Sequence, residues 1–157
     1  MQQTDDGMTE QAKKFHPVAT DDAELWTLER RWYDGALLGH VEVLQRFAEK
    51  HRSRILEQAG SQPDDAQLTA ALKSTIVKTG TLDAPSELRD QAREIKDEIW
   101  FRGERGDFDR SRIQLEWTER HAEAWRKWRL KEYLFVVDRC AHQLVRTLRP
   151  GATGTGR

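Results

Sequence analysis

The chain has 157 residues, of which 34% are charged, with 26 basic and 27 acidic side chains for a net charge of -1. That length suits one domain able to bury a core without disulfides or metal, and the balanced charge implies no particular partner. The single cysteine, Cys140, excludes an intrachain disulfide and fits a reducing compartment.

Residues 1 to 18 are polar and aperiodic, without the apolar core of a signal peptide, and are expected to form a mobile tail closed by Pro17. No later segment reaches membrane-spanning length, and no asparagine is present to carry an N-linked glycan, so a cytoplasmic location without membrane contact is expected. A single helical domain is expected over residues 19 to 149, followed by a Gly- and Thr-rich tail over 150 to 157.

The first helix is expected over about 20–59, with Thr20 or Asp21 as cap and Asp22 and Glu24 favouring the positive end of the helix dipole. It carries two apolar stripes. One runs through Leu25, Leu28, Trp32, Ala36 and Val43, and the other through Trp26, Tyr33, Leu37, Leu44, Ala48 and Ile55. Gly35 and Gly39 weaken the helix, which leaves two alternatives: close approach of another helix, or a break near Gly35.

Pro63 in SQPDDAQ opens a short helix over about 64–79 that Gly80 stops. A second short helix, about 86–102, follows Ser86 as cap and carries a narrow stripe of Leu88, Ala92, Ile95 and Ile99 up to Gly103. The last helix, about 109–148, contains no glycine or proline and would span about 60 Å. Ile113, Trp117, His121, Ala124 and Trp128 share one face of it; Leu130, Leu134, Val137, Ala141, Leu144 and Leu148 form a nearly opposite stripe. The expected fold is therefore all-α, an antiparallel bundle of two long and two short helices with up-down connections. Short helices of about 25 Å cannot cover both faces of a 60 Å pair, so a homodimer is expected to cover an apolar patch such as Trp117 with Trp128, or Leu144 with Leu148.

No catalytic signature is legible. His121 on the tryptophan stripe is a candidate ligand or base, although a histidine in that setting is more often a boundary residue hydrogen-bonded to a carboxylate. Glu-x-x-His pairs are absent, which argues against a di-iron or haem site; no metal and no cofactor is assigned. Cys140 lies on a packed stripe and reads as a small core residue. In WFRGERGDFDRSR, Arg102, Arg105, Arg110 and Arg112 surround two glycines and form a candidate contact for an anion or an acidic partner, though each has a local role at a helix end. The run Arg126, Lys127, Arg129 and Lys131 beside Trp125 and Trp128 raises single-strand binding, against the more ordinary solvated face of an amphipathic helix. Three functions follow: a non-enzymatic interaction module acting through protein contacts, a ligand-binding bundle with an interior of Trp32, Trp117, His121 and Trp128, and a nucleic-acid binder using the basic last helix.

Overall fold

A computed structural model describes residues 22–149. These contain seven α-helices and no strand: α1 (Asp22–Tyr33), α2 (Gly39–Lys50), α3 (Arg52–Ala59), α4 (Asp65–Thr79), α5 (Ala84–Glu104), α6 (Arg110–Arg139) and α7 (Ala141–Leu148). The all-α expectation holds. No helix among the described residues is long and apolar enough to cross a membrane. The two expected tails and the expected first cap, Thr20 or Asp21, lie outside the described residues.

The first expected helix is three helices. At its first interruption Gly35 has φ +85°, its N–H donates to the Trp32 carbonyl and the Ala36 N–H donates to the Arg31 carbonyl. That pair of bonds is the Schellman ending, which needs a left-handed residue and so favours glycine. Of the two alternatives for Gly35, the break is the one realised. Because the turn at 34–38 resets the helical phase, the stripes drawn across it do not persist. Leu25, Trp26 and Tyr33 are exposed, whereas Leu37, Leu44, Ala48 and Ile55 are buried.

Two further interruptions are one residue long. His51 (φ -107°, ψ 20°) separates α2 from α3, and Cys140 (φ -117°, ψ 24°) separates α6 from α7. Helical hydrogen bonds continue around both, with His51 N donating to Phe47 O at 2.9 Å and Cys140 N to Val136 O at 2.9 Å. Neither site has a glycine or proline, which is why an unbroken helix over 109–148 is the sequence expectation and the interruption at Cys140 corrects it.

The other helix ends shift slightly. Helix α4 starts with a capping box, Asp64 accepting from Gln67 N while the Gln67 side chain accepts from Asp64 N, both at 2.8 Å. Helix α5 begins at Ala84 rather than Ser86, since Pro85 fits a first turn whose N–H groups have no helical acceptor. It runs through Gly103 and ends at a second Schellman pair, Gly106 N to Gly103 O and Asp107 N to Arg102 O, with Gly106 at φ +90°. Gly106, not Gly103, is therefore its stop. Asp109 caps α6 by accepting from Arg112 N at 3.2 Å.

The expected single domain divides into two compact units, Asp83–Arg129 and the remaining described residues, 22–82 with 130–149. The larger unit has an aliphatic core: Leu28, Leu37, Leu44, Ile55, Leu68, Leu72, Ile76, Val136, Leu144 and Leu148 are almost wholly buried. Within it α4 pairs antiparallel with the end of α6 and with α7, as Lys73 bonds Asp138 and Asp65 bonds Arg149. Arg52 fastens the C-terminal end by donating to the carbonyls of Leu148 (3.1 Å) and Arg149 (2.9 Å), orphans of a terminating helix.

The smaller unit is a hairpin of α5 and the first part of α6. Its partners step outward from the loop, Arg102 with Glu116 and then Asp90 with Arg129, which makes the helices antiparallel. Trp117, Ala122 and Trp125 form its core cluster, with Ile95 and Ala124 packed on it.

Candidate interaction surface

The arginine loop is a network closed on itself. Arg102 donates to Glu98 (2.9 Å) and Glu116 (3.0 Å), and Arg112 bonds Glu116 (2.8 Å) and Asp107. These bonds raise the pKa of both guanidinium groups and hold the Asp107 and Glu116 carboxyls below the usual carboxylate range. Two of the four candidate anion contacts are thus occupied by carboxylates of their own hairpin. Arg105 and Arg110 have no ion pair among the described residues.

The basic run on α6 divides in the same way. Arg129 is buried, bonded to Asp90, with its guanidinium 4.6 Å from the Trp125 ring centre. Lys131 donates to buried Glu24 at 2.6 Å. Only Arg126 and Lys127 face solvent, and Lys127 lies 3.5 Å from Glu123.

The tryptophan–histidine set is also divided. Trp117, His121 and Trp128 belong to the hairpin and Trp32 to the other unit. His121 is half-buried with its ring 5.8 Å from that of Trp117. Burial lowers its pKa and the Arg120 charge adds to that, while Glu98 opposes them. Trp117 and Trp128 are buried in the chain itself, as are Leu144 and Leu148, so the patches expected to drive dimerisation are not exposed. The indole N–H of Trp128 meets no acceptor among the described residues. Burial pushes the Cys140 thiol up, which keeps it protonated and a weak nucleophile.

The exposed apolar residues lie elsewhere. Helix α5 buries only Glu87 fully along its 21 residues, leaving Leu88, Trp100 and Phe101 exposed. Phe108 in the loop and Leu115 on α6 add to this surface. Beside it, a cleft of about 650 Å³ opens between α5 and the start of α6, floored by Ala92, Ile99 and Trp100 and edged by Arg93, Lys96 and Arg110. On the larger unit, α1 buries only Glu24 and Leu28 and turns Leu25, Trp26 and Tyr33 outward. The adjacent pair Trp100 and Phe101 beside the α5 stripe is the one sequence signal of this surface.

A polar cluster in the core of the larger unit has no such signal. Glu132, 2% exposed, bonds Arg31 and lies 3.0 Å from His40 Nε2, and the His40 ring lies 4.9 Å from that of buried Tyr133, tilted 59° to it. Its members are about a hundred residues apart, and no local pattern connects them. No known protein family, curated protein or solved structure matches the chain.

Proposed function

We propose that this protein is a non-enzymatic helical interaction module that works by protein contacts and self-associates as a homodimer. The observation that carries the proposal is the exposure of whole helix faces: α1 and α5 leave Leu25, Trp26, Tyr33, Leu88, Trp100 and Phe101 in solvent, while α6 exposes only Leu115 among its large apolar residues and α7 none. Clustered apolar exposure of this kind marks interfaces. The face of α1 is the better suited to self-pairing. Leu25, Trp26 and Tyr33 recur at one to eight residues along a single helix, and a two-fold axis beside that helix would lay the same residues on each other. The up-down arrangement of the expected four helical arms belongs to the same proposal, supported by the short connections between helices.

Sedimentation at micromolar concentration tests it. A species of about twice 18.3 kDa is expected, reduced to the monomer by Trp26→Asp with Tyr33→Asp. A wild-type chain that sediments only as a monomer overturns the homodimer.

A second reading is favoured by the unmet Trp128 N–H: a small ligand with a hydrogen-bond acceptor held beside the tryptophans of the hairpin. Native mass spectrometry of the purified chain checks it, since a retained ligand would appear as added mass.

A further inference from the structure

We infer that the cleft between α5 and the start of α6 docks an acidic amphipathic helix of another protein. The inference rests on the interaction-module reading and names a surface and partner chemistry for it, separate from the α1 face.

The cleft floor is apolar, made by Ala92, Ile99 and Trp100, with Trp100 61% exposed. From Ala92 to Trp100 the floor extends about 12 Å, two turns of helix, which matches apolar side chains spaced four and three apart on a partner helix. A groove of this kind between two fixed helices needs no rearrangement to accept such a face.

The sign of the partner's charge follows from how the hairpin distributes its own. Arg102, Arg112 and Arg129 take up Glu98, Asp107, Glu116 and Asp90 in internal pairs. At the cleft, Lys96 and Arg110 have no ion pair among the described residues, and Arg93 has only a distant one with Asp90 at 3.7 Å. Against these three cations the lining offers one carboxylate, Asp97, an excess of two positive charges beside an exposed indole. Glutamates or aspartates flanking the apolar residues of a docking helix would complement them and set its register. A second copy would bring the same positive cleft to itself. Nucleic acid is the poorer fit, because residues 83–129 carry 11 basic and 12 acidic groups and provide no field for a phosphate backbone.

The test uses the full chain and a labelled helical peptide about five turns long, with leucines spaced four and three apart and glutamates on either side; a second peptide has lysine for every glutamate. Fluorescence anisotropy is expected to show binding of the glutamate peptide that weakens as salt is raised. Lys96→Glu with Arg110→Glu should weaken it about tenfold or more while keeping the helical circular dichroism and the sedimentation of the wild type. Trp100→Ala should weaken it as well. Trp26→Asp with Tyr33→Asp should leave it unchanged, so loss of self-association and loss of docking are read separately. The inference is overturned if the glutamate peptide does not bind, if the lysine peptide binds equally well, or if the charge-reversed protein binds as the wild type does. It is also overturned if charge reversal abolishes self-association, which makes a second copy the occupant, or if a peptide of residues 1–21 displaces the glutamate peptide, which makes it the chain's own N-terminus.

Discussion

The two compact units solve the same problem, enclosing helices of mixed charge, with different materials. The larger one packs leucine, isoleucine and valine to near-zero exposure and adds two buried carboxylates paired with partly exposed cations, Glu132 with Arg31 and Glu24 with Lys131. The hairpin relies on a few tryptophans, keeps most of its ion pairs at the surface, and leaves the face of α5 in solvent. Aliphatic side chains interdigitate at high density and leave little to give away. Two helices alone cannot surround their own side chains, so a hairpin retains apolar surface that another molecule can cover. The difference separates a part whose dense interior holds the fold and leaves only α1 as an open face from a hairpin whose helix α5 is open along its length.

Breaking each unit at its centre should give the largest effects. Trp125→Ala is expected to lower stability by about 3 to 5 kcal/mol, the usual range for removing a buried tryptophan. Glu132→Ala is expected to lower it by about 1 to 3 kcal/mol, because buried His40 then loses a hydrogen-bond partner while Arg31, a third exposed, can turn to water. Urea unfolding followed by circular dichroism measures both. A loss under about 1 kcal/mol for Glu132→Ala would mean that its polar contacts hold nothing and that the aliphatic packing alone suffices.

Next in size is Gly35→Ala, at about 1 to 2 kcal/mol. The added Cβ would meet Leu38 at an ordinary 3.7 Å, so the cost is that of the left-handed backbone and not of a clash. The same method reads it, and an unchanged midpoint would show that α1 does not depend on this turn.

His121→Gln is expected to cost about 1 kcal/mol, since the ring is half-buried against Trp117. It should also change the pH dependence. Burial lowers the His121 pKa below its usual 6.5, so the unfolded chain takes up the proton first as pH falls through that value, and stability falls with it. The variant should lose less stability than the wild type over the same interval. Thermal melts at several pH values test this; identical slopes would remove His121 as the titrating group, leaving His51, whose pKa is also lowered by burial.

The smallest effect sharpens the comparison from the other side. Trp100→Ala, and Trp26→Ala at a concentration low enough to keep the chain monomeric, both at exposed positions, should change stability by no more than about 0.5 kcal/mol. A clearly larger loss in the melting of either would show that these residues belong to the core and not to an open face.

The sequence by itself determined that this is a chain of helices, because the apolar spacings of three and four outlast any strand pattern; the stop of α5 at Gly106 and not Gly103, and the Asp64 capping box, came from the structure although both are local chemistry. The sequence also marked Ile113, Trp117 and Trp128 as one buried face of α6, a periodicity that survives because nothing interrupts the helix there. Between a kink and a straight helix at His51 and Cys140, and between a break and a close approach at Gly35, only the tertiary structure decided, since those outcomes depend on what packs from outside. The same holds for the candidate surface. Whether Trp26 or Trp117 is the exposed tryptophan, and which arginines of the loop are left without a carboxylate, is set by neighbours far away in the chain or by helix phase after a turn, and no spacing rule carries that information.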